Sequence, residues 1–184
     1  MFLILMIFLN LNCRTICLES PRESPIIDYE RLKEVIAMAE TAHHPLQYQL
    51  VNRYGYMGKY QFHKSTLKSL GFKPSEIRDF IKDSVLQERA MNRLINWNYN
   101  YFKSQGLLDC AGQEIAGITI TKEGMLAAAH LLGALAVQHF MWHDGCMENV
   151  YYKGVKVYKY DANGTPLTKY LTMFENETIQ ERSN

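Results

Sequence analysis

The sequence predicts a mainly α fold of the α+β type, a single domain with a small β portion. Three observations lead there. Apolar residues recur at helical spacing in three segments, around Leu32, Leu94 and Met125. One run, YYKGVKVYKY about Gly154, alternates in the manner of a hairpin. The chain has 184 residues, 47% hydrophobic and 21% charged, an ordinary globular composition long enough to bury one core.

The elements follow in order. Residues 20–27 hold two prolines and mixed charge and read as a linker. Asp28 then has the chemistry of an N-cap, and Leu32, Val35, Ile36 and Ala39 mark an amphipathic helix over about 29–41. Pro45 lies beyond its end. The stretch QLVNRYGYMGKYQF is too rich in Gly and Tyr for a helix and reads as a loop or small β-element before a short helix at KSTLKSLGF. Pro74 suits the first turn of another short helix reaching about Lys82. Ser84 and Gln87 have capping-box spacing ahead of a long helix through Leu86, Ala90, Leu94, Trp97 and Tyr101, ending near Gly106. A short strand is expected in EIAGITI. Thr121 caps the most apolar helix, which Gly133 bends or splits. After the hairpin, DANGT is a turn and PLTKYLTMF a last short helix, so the domain covers 28–174 and residues 175–184 read as a flexible tail.

Charge and targeting signals bound the setting. A net charge of +1 provides no field for nucleic acid. The opening MFLILMIFLNLN is apolar and too short to cross a bilayer as a helix, so residues 1–19 read as a signal peptide, although the first cation comes only at Arg14. The expectation is an exported protein, periplasmic or secreted, that meets the membrane only through that signal. Signal removal takes Cys13, or Cys13 and Cys17, with it. Cys110 and Cys146 then remain, as one disulfide or as buried thiols. Twelve tyrosines supply flat apolar faces with polar tips, which suit sugar rings and also half-buried core positions.

Glu40 is the carboxyl group in the most informative setting. It sits four residues after Ile36, at the border of the first helix's apolar face and at its negative end. Burial and the helix dipole both favour the protonated acid there, and a protonated carboxyl group is what attack on a glycosidic oxygen requires. Glu34, a turn and a half earlier on another side, and Glu88 on the long helix are its rivals.

Three blocks extend this reading: Glu40-Thr41, then Gly55-Tyr56-Met57-Gly58-Lys59-Tyr60-Gln61-Phe62 continuing to Ser65-Thr66, then Ala128-Ala129-His130-Leu131-Leu132-Gly133. In order and approximate spacing the chain resembles the lytic transglycosylase and goose-type lysozyme group. There a Glu usually followed by Ser ends a helix, a Gly-x-Met-Gln-type segment follows, and Ala-Ala-Tyr-Asn-Ala-Gly comes later. The later DANGT…Y turn is similar to a subgroup of peptidoglycan-active proteins. The chain departs from the pattern in Thr41 for Ser and in His130-Leu131 for Tyr-Asn.

The resemblance implies a lysozyme-like helical domain with a cleft, acting on the glycan strands of peptidoglycan without a cofactor. Glu40 would protonate the oxygen between N-acetylmuramic acid and N-acetylglucosamine. Thr41, Tyr56, Met57, Gly58, Tyr60, Gln61 and His130 would contact substrate. A transglycosylase closes a 1,6-anhydro ring with the same Glu as base, whereas a hydrolase needs a water and usually a second carboxylate, for which Asp144 and Asp161 are candidates. Two other readings stand beside it. His139 and His143 have the spacing to share a metal ion, but the Glu of an H-E-x-x-H motif is missing, so no metal is assigned. A catalytically inactive glycan-binding or scaffold module is the main alternative.

Overall fold

A computed structural model describes residues 27–148, 150–161 and 163–175. It is mainly helical, with two short antiparallel hairpins. The expected signal peptide, most of the expected linker and nearly all of the expected tail lie outside the described residues. Ile27 is buried in the core, and Glu175 accepts a hydrogen bond from the Thr119 N–H at 2.9 Å.

Helix α1 spans Tyr29–Thr41, and Asp28 caps it by accepting from the Arg31 N–H at 3.0 Å. Its buried face carries Leu32, Ile36 and Ala37. The Gly/Tyr segment is a tight β-like loop in which Met57 and Phe62 exchange backbone hydrogen bonds of 2.9 and 2.8 Å. Two short helices follow, α2 (Lys64–Ser69) and α3 (Pro74–Asp79), the latter running into a 3-10 turn at Phe80–Lys82.

The long helix α4 (Ser84–Ser104) corrects the sequence reading at its start. Asp83 is the cap, accepting from the Leu86 N–H at 2.9 Å, and Ser84 is already helical. Gln87 plays no capping role. Its side chain is buried, accepts from the Lys59 N–H at 2.9 Å, and donates to the carbonyls of Tyr48 and Phe80 at 2.8 Å each. It thereby pins the Gly/Tyr loop onto α4. Two acceptors sit side by side at Asp83 and Ser84, and tertiary packing selected the first.

A hairpin of β1 (Glu114–Ile115) and β2 (Ile118–Thr119) precedes α5 (Lys122–Leu132), which Thr121 caps through the Gly124 N–H at 2.9 Å. Gly133, at φ +85°, divides the expected single helix into α5 and α6 (Ala134–Trp142). Helix α5 is the hub. Met125 through Ala129 are all buried, and it packs against α7 (Leu167–Leu171), α6, α4 and α1. Its small side chains allow this, because a helix surrounded by others needs close approach of backbones more than bulk. The second hairpin pairs β3 (Tyr151–Tyr152) with β4 (Val155–Lys156). Asp161 then shapes the turn before α7, accepting from the N–H groups of Asn163 and Thr165 at 2.9 and 2.7 Å.

Cys110 is disulfide-bonded and Cys146 is a free, exposed thiol, so the two do not pair with each other. Among the described residues no helix is long and apolar enough to cross a membrane.

Candidate functional site

Helix α1 delivers Glu40 one residue before its end. The last turn is held from both sides. The Thr41 hydroxyl donates back to the Ala37 carbonyl at 2.9 Å, and Ala42, left-handed at φ +49°, returns its N–H to Met38. The Glu40 side chain is only 17% exposed, which sets it apart from Glu34 at 57%. Its Oε1 accepts a 2.6 Å hydrogen bond from the hydroxyl of Tyr170 on α7. His130 Nε2, from α5, lies 3.8 Å from the same oxygen, near but beyond hydrogen-bond range. No described residue engages Oε2 of Glu40.

The electrostatics of the two neighbours differ from an ion pair. The His130 side chain is 7% exposed, and burial pushes its imidazole below the ordinary value despite the pull of Glu40 and of the Tyr60 backbone. It is therefore neutral around neutral pH. Its Nδ1 is buried with no hydrogen-bond partner among the described residues. Burial and the Glu40 charge push the Tyr170 phenol up, so it remains a hydrogen-bond donor throughout the ordinary pH range. Phe62 closes one side, its ring edge-on to His130 at 5.6 Å and 84°.

Glu88 occupies the opposite kind of environment. Burial alone would raise its pKa. Hydrogen bonds from Tyr48 and Tyr60 at 2.8 Å, and the charges of Lys59 and Lys33, each 3.3 Å away, outweigh that and hold it below the usual carboxylate value. Both lysines are buried, and Lys59 also reaches Glu34 at 2.9 Å. This carboxylate is locked in its charged form, which disqualifies it as a proton donor and makes it a strut between α1, the Gly/Tyr loop and α4.

Of the residues expected to form a site, the fold brings Glu40 and His130 together. The Tyr60 main chain and Phe62 adjoin His130. The others are distributed differently. Thr41, Met57, Gly58 and Tyr60 are buried, and the Tyr60 hydroxyl is spent on Glu88. Gly58, at φ +77°, has its α-carbon against the Gln87 amide, with no room for a Cβ. These four are packed into the interior and present little side-chain surface, in contrast to the expectation that they contact a substrate. Gln61 is half-buried, left-handed at φ +48°, and donates to the Gly58 carbonyl at 2.9 Å, so it braces the loop and does not reach Glu40 through any described hydrogen bond. Tyr56 is half-buried beside His63, ring centroids 5.3 Å apart. Tyr170 and Phe62 are the residues that sequence reasoning did not assign to the site. Phe62 stood inside the second block, and the DANGT…Y turn ends on Tyr170.

The rival second carboxylates are both engaged by backbone. Asp144 accepts from the Ala116 N–H at 3.1 Å, and Asp161 holds its own turn. Asp161 is the nearer to the site, for its charge reaches the Tyr170 phenol. His139 and His143 stack at 5.3 Å and 13°, and burial, then the charge of His143, lowers His139. Among the described residues no group of three or more His, Cys, Asp or Glu side chains is arranged to hold a metal ion. No protein-family profile, curated protein or solved structure matches the chain.

Proposed function

We propose that this chain is an exported, lysozyme-like glycosidase that cuts the strands of peptidoglycan between N-acetylmuramic acid and N-acetylglucosamine, with Glu40 as the acid. The observation that carries the reading is convergence on one carboxyl group. Tyr170 bonds to Glu40 Oε1, His130 lies 3.8 Å from the same oxygen, and Tyr60 and Phe62 in turn contact His130, so four separate stretches of sequence converge around this group. Its neighbours are uncharged, unlike those of Glu88, so Glu40 is not committed to an ion pair.

In this mechanism Tyr170 fixes Oε1 and leaves Oε2 as the atom that carries and transfers the proton. That proton passes to the glycosidic oxygen as the C1–O bond breaks, and the positive charge develops on the sugar ring. The carboxylate so formed then takes the proton of the muramoyl 6-hydroxyl while O6 bonds to C1, closing the 1,6-anhydro ring. The anhydro outcome is favoured over hydrolysis because Asp144 and Asp161, the candidates for a second carboxylate, are each engaged by backbone N–H groups.

A catalytically silent glycan-binding module is the second reading. One observation favours it: His130 is turned into the protein, so at that position α5 offers the glycan no polar side chain. Incubating purified peptidoglycan with the wild type and with Glu40→Gln, then analysing soluble muropeptides by mass spectrometry, separates the readings. Anhydro-muropeptides from the wild type alone are expected. Equal release by both proteins rejects the Glu40 assignment, and no release by either favours the silent module.

A further inference from the structure

The hairpin between α6 and α7 plays no part in the chemistry above, yet it and the segment that follows concentrate exposed tyrosine rings and lysine ammonium groups. Tyr151, Tyr152, Tyr158 and Tyr160 are 60%, 37%, 59% and 48% exposed. Large aromatic rings in water at four positions of a ten-residue stretch are costly unless they meet something. Three of the rings carry a lysine ammonium at 5.4 Å from the ring centroid: Lys153 over Tyr152, Lys156 over Tyr158 and Lys159 over Tyr160. None of these lysines makes an ion pair with a described residue. The run 150–160 contains three lysines and no acid, so it concentrates positive charge in a chain whose net charge is only +1.

We infer that this Tyr/Lys hairpin is a docking surface for peptidoglycan strands, separate from the cleavage site, in which tyrosine faces stack on sugar rings and the lysines meet carboxylates of the peptide stems. The inference rests on the wall-polymer reading proposed above and adds where the strand is held. Pyranose rings present C–H faces to aromatic planes, and tyrosine adds a polar tip that stays solvated. The charge complements stem peptides, which end in free carboxylates wherever they are not cross-linked.

A lipid surface fits less well. Among the exposed residues of the run there is no Trp, Phe, Leu or Ile to enter the acyl region, and Val157 is turned inward. The surface is also tied to the site. Tyr160 bridges Pro166, the Leu167 N–H donates to the Lys159 carbonyl at 3.0 Å, and the helix so anchored carries Tyr170 to Glu40.

The test is co-sedimentation with insoluble peptidoglycan sacculi, using full-length Glu40→Gln as the common background so that cleavage does not release the bound protein. Two sets are compared with it: Tyr151→Ala/Tyr158→Ala/Tyr160→Ala, and Lys153→Gln/Lys156→Gln/Lys159→Gln. All three proteins are checked for equal melting temperatures; Tyr→Ser replacements substitute for the tyrosine set, and Lys→Met replacements for the lysine set, if either melts early. The tyrosine set should weaken retention roughly tenfold or more, at both low and high salt. The lysine set should remove the salt-sensitive part, and it should lose nothing on strands stripped of their stem peptides.

Retention equal to the background in both sets overturns the inference. So does sedimentation with anionic phosphatidylglycerol vesicles in preference to sacculi, which would make the hairpin a lipid contact. The two proposals fail separately. Muropeptide release with hairpin-independent binding rejects the surface and keeps the glycosidase. Hairpin-dependent binding without release keeps the surface and rejects the glycosidase.

Discussion

Tyr170 and Glu40, 130 positions apart in the chain, are joined by a 2.6 Å hydrogen bond that ties the last helix to the end of the first. The bond orients one carboxyl oxygen and leaves the other open. Tyr170→Phe removes the donor while keeping the ring. A hydrogen bond to a partly buried carboxyl is worth about 1–3 kcal/mol, so the melting temperature should drop by a few degrees. Muropeptide release should fall roughly ten- to a hundredfold as the carboxyl loses its orientation. Unchanged release would show that Tyr170 plays no positioning role.

The buried imidazole of His130 makes stability depend on pH. Its folded pKa lies below the ordinary 6.5, so between those two values the unfolded chain binds a proton that the folded chain does not. The stability it supports is present above 6.5 and lost as pH falls through the lowered folded value. Up to about 1.4 kcal/mol should disappear per pH unit in that window. His139 shares the direction, so the comparison is best made in a His139→Gln background. There, His130→Gln should flatten the decline in melting temperature between about pH 7 and pH 5. Parallel curves would place the acid sensitivity elsewhere.

The Glu88 strut acts at lower pH. Its folded pKa is depressed from 4.5, so its stabilisation is present above 4.5 and lost as pH falls through the folded value. Glu88→Gln leaves Lys33 and Lys59 buried with weaker partners. Because Glu88 is 28% exposed, water offsets part of the loss, and a cost of about 1–3 kcal/mol is expected in urea denaturation near neutral pH. The variant should also lose the acid-dependent step below pH 4.5 that is expected of the wild type.

Glycine substitutions in the loop should diverge. Gly58 and Gly55 share a left-handed backbone, at φ +77° and +81°, but only Gly58 has the Gln87 amide against it. Gly55→Ala should cost about 1 kcal/mol for the backbone alone, and Gly58→Ala about 2–4 kcal/mol because the Gln87 bridge must also move. Similar melting temperatures for the two variants would mean that the bridge yields freely.

The elements were legible in the sequence because each is signalled within a few residues. Asp28 and Thr121 are caps, Pro74 opens a helix, Gly133 divides one, and Leu32 and Ile36 mark the buried face of α1, although Ala39, expected on that face, is exposed and Ala37 is buried there. These are local hydrogen-bonding and steric preferences. Asp83 against Ser84 shows where such signals stop, since two good acceptors adjoin and the choice fell to packing that Gln87 completes.

The site was legible only in part. Glu40 and the block order could be picked out, but not which side chains face inward. Thr41, Met57, Gly58 and Tyr60 are buried, and Glu88 is removed as a candidate by Tyr48, Tyr60, Lys59 and Lys33, residues brought to it from two other segments. By itself the sequence determined where the helices lie and most of their ends, and it singled out Glu40 as a candidate carboxyl group. The tertiary structure decided which carboxyl keeps uncharged neighbours and which is locked by lysines. Burial and long-range pairing set the electrostatics of a group, and neither is encoded in the residues next to it.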